Sequence, residues 1–291
     1  MPSRLSFRGL ILAWFLITAW IVPPAEVAAA SVWKVSDSNG GILYLGGSVH
    51  ALHSTDYPLP SAYNRAFDAA AHIVFEDDPA VSKSTVKSYF KRGEYPKGDS
   101  LKNHVDPRTY DYLRRVFSLW GIPEQKFSSV RPWFLVLVLS SPELHGVSHD
   151  LGIEGFLEKR ARANSKPISG LESFREHMEV FSGLTDRQCE MLILMTFIPQ
   201  QDGSNNGRGL MNAWRRGDAD TLAHIARNSL QDFPSFAKRV LDARSLSWLP
   251  KIEGYLHSGK IYFVVVGAGH IGGPSGLLPL LKARGYRIEQ I

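Results

Sequence analysis

Ile261-Tyr262-Phe263-Val264-Val265-Val266-Gly267-Ala268-Gly269-His270 is the stretch whose reading decides the fold of this chain. Its apolar run is too short for a typical helix, is rich in β-branched residues and ends in glycine. That pattern describes a strand buried on both faces, delivering the residues after it to a loop at the sheet edge. Open α/β sheets hold their ligands at the carboxyl ends of such strands. The opposite end of the sequence repeats the pattern in Ile42-Leu43-Tyr44-Leu45-Gly46-Gly47-Ser48-Val49-His50. Each run therefore closes on a Gly-x-x-His signature, and His50 and His270 can converge on one metal ion or one substrate despite their separation in sequence.

Working outward, Val32-Trp33-Lys34-Val35 and Asp37-Ser38-Asn39-Gly40-Gly41 give a strand and a hairpin signal before the Ile42–Leu45 return strand. A helix starts at Ser61 with Ala62, Ala66, Ala69 and Ala70 on its apolar side, and Ile73-Val74-Phe75 is a second inner strand. Strand, helix, strand implies a parallel pair. The middle of the chain is helical. Asp106-Pro107 places an N-cap before a proline at the first helical position, opening a helix to about Trp120. Pro132 to Ser141 is apolar on every side. Glu154–Arg162 is a further helix, and Lys166–Glu172 a short strand that ends in a carboxylate. Helices follow at about 174–184, 186–198, 206–227 and 233–258, the last interrupted at Pro250. Gln201–Gly207 reads as a loop. After strand 261–266 come a glycine-rich turn (Gly267 to Gly276), a helix to about Lys282 and a strand from Tyr286 to Ile291. The fold class is α/β (α+β): a small central sheet formed from both ends of the chain, with a large helical insertion from about 80 to 260. No solenoid repeat is present.

The chain has 291 residues, 44% of them hydrophobic and 21% charged, which is enough to bury a substantial core. The net charge of +5 comes with no nucleic-acid motif and no long Lys/Arg block, so no nucleic-acid partner is expected. Arg4 and Arg8 precede the uncharged, largely apolar run Gly9–Val22, then Pro23-Pro24 and Ala28-Ala29-Ala30. This is the order of a secretory signal peptide over residues 1–30, cleaved near Ser31. The expected location is periplasmic or secreted, with a single domain over 31–291 and no stable membrane span after cleavage. Cys189 is the only cysteine, so no intrachain disulfide can form. It is read as a buried small apolar residue in a helix.

The strand ends supply His50, Glu76, Glu172 and His270. Two imidazoles and two carboxylates suit a borderline divalent metal such as Mn, Co or Zn. Such an ion lowers the pKa of bound water, and a spare carboxylate takes the proton. Each histidine alone is more simply a loop residue with a satisfied hydrogen bond; the argument rests on four such groups together. Other signals are weaker. His145 and His149 are spaced i, i+4, but Gly146 and Pro142 weaken the helix that would align them. Arg175-Glu176-His177-Met178-Glu179 is not His-Glu-x-x-His. Gly273-Pro274-Ser275-Gly276 lacks nucleophile-elbow spacing; it either aims N–H groups at an anion or is a tight turn. Trp133, Trp214 and Trp248 are read as core.

Taken in order, these motifs resemble the TraB/GumN family. The resemblance is carried by Leu43–His50, Tyr57-Pro58-Leu59-Pro60, Phe75-Glu76-Asp77-Asp78, Arg131-Pro132-Trp133, Gly170-Leu171-Glu172, Trp214-Arg215-Arg216-Gly217-Asp218, Val266–His270, Gly273–Leu278 and Gly285-Tyr286. The family includes animal metalloproteases that act outside the cell and use Gly-x-x-His motifs with a divalent metal. The resemblance implies that His50 and His270 are those histidines, that Glu76 is the first acidic site residue and that Glu172 belongs to the later Leu-Glu motif. Arg244 matches an arginine usually followed by asparagine, where this chain has Ser245; Glu154 stands where aspartate is commoner. The resulting expectation is an exported metal-dependent hydrolase, peptidase-like, acting on a peptide or protein. Glu76 and Glu172 would be catalytic, His50, Glu76 and His270 would hold Mn, Co or Zn, and Arg244, Gly273 and Gly276 would contact substrate. The alternatives are a non-catalytic metal- or ligand-binding envelope protein serving polysaccharide export or conjugation, and a metal-free esterase-like hydrolase.

Overall fold

A computed structural model describes residues 30–49, 52–141, 149–197 and 203–291, excepting the side chains of His149 and of 203–207. Six strands form one sheet: β1 (Val32–Ser36), β2 (Ile42–Ser48), β3 (His72–Asp77), β4 (Ile168–Glu172), β5 (Tyr262–Gly267) and β6 (Arg287–Gln290). Their order is β4-β3-β5-β2-β1-β6. β5 lies parallel between β3 and β2, while β1 is antiparallel to both β2 and β6. The Ile261–Val266 run is thus an inner strand, as its composition requires, and both ends of the chain meet in one sheet. The middle of the chain also contributes a strand, because β4 pairs with β3 at one edge.

Alternation along β5 divides the core. Phe263 and Val265 face one layer, packed with Tyr63 and Phe67 of α1 (Ser61–Ala69), Leu157 of α6 (Ile153–Ala163) and Trp214 of α9 (Gly203–Arg216). Val264 and Val266 face the other, with Trp248 and Ile252 of α12 (Arg244–Leu256) and Leu281 of α13 (Leu277–Ala283). A third core lies in the helical insertion. It joins α2 (Lys83–Arg92), α3 (Pro107–Leu119), α4 (Glu124–Ser128), α5 (Pro132–Leu139), α7 (Phe174–Ser182) and α8 (Asp186–Met195). Asp106 caps α3 through the Arg108 N–H, with Pro107 in the first turn. Trp133, Trp214 and Trp248 are all buried, as is Cys189.

Three expectations are corrected. The helix expected over 206–227 is two helices, α9 and α10 (Ala219–Asn228), because Gly217 turns with φ +64° and Asp218 starts a new N-cap on Thr221. α9 begins at Gly203, inside the stretch read as a loop. Pro250 does not interrupt α12. The carbonyl deprived of a donor there is that of Leu246, whose side chain is 51% exposed, so water can take its place. The irregularity falls earlier: α11 (Pro234–Ala237) runs into a π-helical turn, Lys238–Ala243, before α12. No helix among the described residues is long and apolar enough to cross a membrane.

Candidate active site at the carboxyl ends of the strands

Glu76 on β3, Glu172 at the end of β4 and His270 just after β5 come together at one edge of the sheet. The parallel register brings their strand ends level. The π turn ahead of α12 is the second positioning device. Wide turns of this kind change the phase of a helix and recur at functional sites. Here the first residues of α12, Arg244 and Ser245, both reach the cluster.

Arg244 is at its centre. Its Nη2 donates to Glu76 Oε2 at 2.5 Å and to Glu172 Oε1 at 2.6 Å. Its Nε lies 3.2 and 3.1 Å from the two Glu172 oxygens, and its guanidinium stacks 4.7 Å from the Trp248 ring. Trp248 Nε1 donates to Glu172 Oε2 at 3.1 Å, and His177 Nδ1 lies 2.7 Å from Glu172 Oε1. All these groups are at least two-thirds buried. Burial works against the charge of Glu172, but the hydrogen bonds from His177 and Arg244 outweigh it and hold its carboxyl below the usual range. Burial likewise opposes the Arg244 cation, and the two glutamates more than compensate, so it stays charged. Breaking one member of such a buried network is more costly than the net worth of the pair.

His270 is the other half of the site. It is 5% exposed. Its Nδ1 is 3.0 Å from Ser245 Oγ, and its ring packs 4.7 Å from Trp248. That leaves Nε2 facing Glu76 Oε1 at 3.8 Å and Arg244 Nη1 at 3.4 Å. Burial first, with Arg244 adding to it against the pull of Glu76, pushes the His270 pKa down to about 4. The imidazole is therefore neutral and able to donate a lone pair. Glu76 Oε1 also accepts the Gly267 N–H at 2.6 Å. A Cβ at residue 267 would lie 3.1 Å from that oxygen, so glycine permits the approach.

The donor set can be tested for a metal. Glu76, Glu172 and His177 each offer a ligand atom within 4.8 Å of the others. Arg244 Nη2 stands among them, however, 2.5 Å, 2.6 Å and 3.2 Å from their atoms. Glu172 is the counter-ion of that arginine. Glu76 Oε1 and His270 Nε2 are a second pair of unlike donors, 3.8 Å apart, with the histidine held through its other nitrogen and Arg244 Nη1 3.4 Å from Nε2.

The remaining sequence assignments are placed as follows. His50 and His145 lie outside the described residues. Ser48 is registered with Gly267, so the chain leaves β2 beside the Gly267–His270 turn. Glu154 accepts a hydrogen bond from Ser48 Oγ. Arg244 is buried, its guanidinium engaged by carboxylates. The Gly273 N–H donates to Asp220 Oδ1 at 2.9 Å and the Gly276 N–H to the Gly273 carbonyl at 3.0 Å. Those amides build a tight turn instead of facing an anion. Sequence reasoning missed His177, Ser245 and the polar role of Trp248. His177 follows the strand-end Glu172 by five residues, behind the Ser173/Glu176 capping box, and that spacing was the available signal.

Fold and site together define an α/β protein whose strand ends gather two glutamates, a buried arginine and two histidines. A family model described as the TraB/PrgY/gumN family matches residues 31–290, and the chain belongs to that family. It is 21% identical over 302 residues to Metalloprotease TIKI2 of Danio rerio, covering 84% of this chain and 58% of that protein. Metalloprotease TIKI1 of Homo sapiens is matched at 21%, over 84% of this chain and 59% of its own length. An uncharacterized protein of Treponema pallidum (strain Nichols) is 21% identical, over 87% of this chain and 80% of its own. The chain thus spans under two thirds of the two TIKI relatives.

Proposed function

We propose that the chain is an exported, metal-dependent hydrolase of peptide bonds. The observation that carries this reading is the facing pair Glu76 Oε1 and His270 Nε2, 3.8 Å apart, with the imidazole neutral and anchored. Glu76 and His270 would hold a divalent ion, Mn, Co or Zn, and His50 would complete the set. When bound, the ion supplies Lewis-acid polarisation of a carbonyl and an acidified water. Arg244 binds Glu76 through Oε2, which would leave Oε1 as the oxygen to hold the ion. Glu172, its oxygens engaged by Arg244, Trp248 and His177, orients the neighbours of the reacting centre. His177, with Nδ1 2.7 Å from Glu172 Oε1, would help to orient that carboxylate. The metalloprotease names of the TIKI relatives support the reaction class, and the residue 1–30 pattern supports export.

Metal content tests this directly. Protein purified without chelator should carry about one ion per chain, and His270→Ala and Glu76→Gln should lose it under dialysis that leaves a His149→Ala control loaded. Hydrolysis of a peptide library should then follow metal content. A wild-type chain that binds none of the three metals would end the metalloenzyme reading. The metal-free rival would then stand on a specific observation, the arginine already bonded to both Glu76 and Glu172.

A further inference from the structure

His104 stands between two carboxylates in the helical insertion. Its Nδ1 lies 3.0 Å from Asp186 Oδ2, and its Nε2 lies 2.9 Å from Asp99 Oδ2. A neutral imidazole has one N–H and one lone pair, so it can donate to only one of them. Both contacts are hydrogen bonds only when the ring carries two protons; otherwise a lone pair faces a carboxylate. The geometry therefore selects the imidazolium. The two acids belong to different parts of the chain. Asp99 is five residues before His104. Asp186 is the first residue of α8, just past the corner where α7 turns into it. Among the described residues, the bond to Asp186 is the hydrogen bond that ties residues 96–105 to another part of the chain.

The ring also covers Tyr95, with 4.5 Å between centroids and 20° between planes. Arg131 lies 4.9 Å from the same tyrosine ring. The Tyr95 hydroxyl is buried without a hydrogen-bond partner among the described residues. The ring is thus held by its stacked neighbours and not by its own oxygen. Cys189, which burial keeps protonated, is the further titratable group acting on Tyr95. Asp186 has an alternative to His104. It lines a cavity of about 450 Å³ together with Arg131 and Arg92. Neither arginine forms an ion pair among the described residues. Glu94 lines the same cavity, so an Asp186 that left His104 would share the two arginines with it.

We infer that His104 is a pH-operated clasp: protonated, it fastens the Asp99–His104 turn to the α7–α8 corner, and on losing its proton it releases Asp186 to the arginines and uncovers the Tyr95 ring. Asp99 first and then Asp186, against the opposing effect of burial, hold the His104 pKa above its ordinary value of about 6.5. A histidine raised in this way contributes fully below its unfolded value, and the contribution is lost as pH rises through the folded value. Bonds from Asn103 first and His104 next lower the Asp99 pKa to about 2. The clasp therefore opens towards alkali and not in mild acid. The side chains of His104, Asp99 and Asp186 are 28%, 33% and 52% exposed, so solvent screens each pair and the effect on whole-chain stability is small. The opening is local, because Leu101 and Val105 remain anchored in the helical core. The corner ends the helix that carries His177, yet the clasp works whether or not the site takes a metal.

The test uses the full chain with isotope-labelled histidine, titrated by NMR from about pH 5 to about pH 9. The His104 signal is assigned by its loss in His104→Gln or, should that variant fail to fold, by its nuclear Overhauser contact with the Tyr95 ring. It should titrate above the ordinary value in the wild type and move down in Asp186→Asn. Amide exchange, corrected for its intrinsic pH dependence, supplies the local readout. Across residues 95–104 it should be severalfold faster at about pH 8.5 than at about pH 6 in the wild type, and fast at both in His104→Gln. A His104 midpoint at or below the ordinary value overturns the inference. So does wild-type exchange that ignores pH, or an acceleration with pH that persists in His104→Gln. Chelator-treated protein should give the same titration and the same exchange, so failure of the metal reading and failure of this one are distinguishable.

Discussion

Ser245 is the residue through which helix α12 fixes His270. Its hydroxyl is buried and 3.0 Å from Nδ1, and partners of this kind commonly tune metal affinity by about ten- to a hundredfold. Ser245→Ala should lower metal retention by that order in dialysis against graded chelator, while Ser245→Thr restores it. Full retention in the alanine variant would mean the ring is held by the Leu241 main chain and by packing against Trp248. Cys189 makes the contrasting case. Its thiol is 1% exposed, and burial, with Asp186 adding to it, pushes its pKa up to about 12. It should resist thiol reagents at neutral pH in the folded chain and react stoichiometrically in denaturant. Fast modification of native protein would contradict this. Glu76, Glu172 and His270 were legible in the sequence because each ends or follows an apolar strand. Ser245 was not, because a serine on a helix carries no local sign of what lies opposite, and His177 offered only its spacing from Glu172. The placement of Arg244 between two glutamates, one 168 and one 72 residues away, is a tertiary fact with no periodic signature.

Among the elements, the break between α9 and α10 rests on Gly217. Its φ of +64° suits glycine. A Cβ there would lie 2.0 Å from Gln290 Nε2 and 2.3 Å from the Ala30 carbonyl oxygen. Gly217→Ala should therefore cost about 2–4 kcal/mol in urea unfolding, whereas Gly209→Ala, inside α9 with open space around it, should cost nothing or add up to about 1 kcal/mol. Similar losses in both would refute the strain argument. Helix α8 carries a pH-dependent tie. Glu190, 3% exposed, accepts the Asp106 N–H at 2.9 Å and pairs with Arg187 at 3.1 Å. Burial opposes its charge, but the bonds from Thr109, Asp106 and Arg187 win and lower its pKa. A depressed carboxylate stabilises the fold above its unfolded value, about 4.3, and loses that contribution as pH falls through the folded value. Glu190→Gln should thus be less stable by about 1–2 kcal/mol at pH 7, and the two urea midpoints should converge below about pH 4. A gap that widened in acid would reverse the assignment. At this scale, strands and capped helices were read well, since caps and β-branched runs are local. Pro250 misled because its clash is tolerated on a solvent-facing side, and the π turn has no sequence marker.

For the whole molecule, the decisive fact is that the last strands close a sheet opened by the first. The Ala30 carbonyl accepts the Val32 N–H at 2.7 Å and Gln290 Nε2 at 3.0 Å, and Ala30 is fully buried. The export reading therefore predicts a mature chain that keeps Ala30, cut after Ala29 instead of before Ser31. N-terminal sequencing of secreted protein would show alanine first, and serine first would refute it. The sheet makes a stronger claim. Deleting 261–291 removes β5, which pairs with both β2 and β3, together with Phe263, Val264, Val265 and Val266, all fully buried and divided between two cores. It also removes β6 from the flank of β1. β2 and β3 would each lose a partner on the inside of the sheet, and no other strand among the described residues can bridge them. Unpaired buried main-chain groups and an opened core cannot both be absorbed, so this variant should show no cooperative melt. A shorter deletion of 287–291 leaves β5 in place and removes only an edge strand and the Gln290 contacts. That variant should still unfold cooperatively, at lower denaturant. If the long deletion melts cooperatively, the two ends do not form one folding unit. If the short one fails to fold, β6 is part of the core and not an edge.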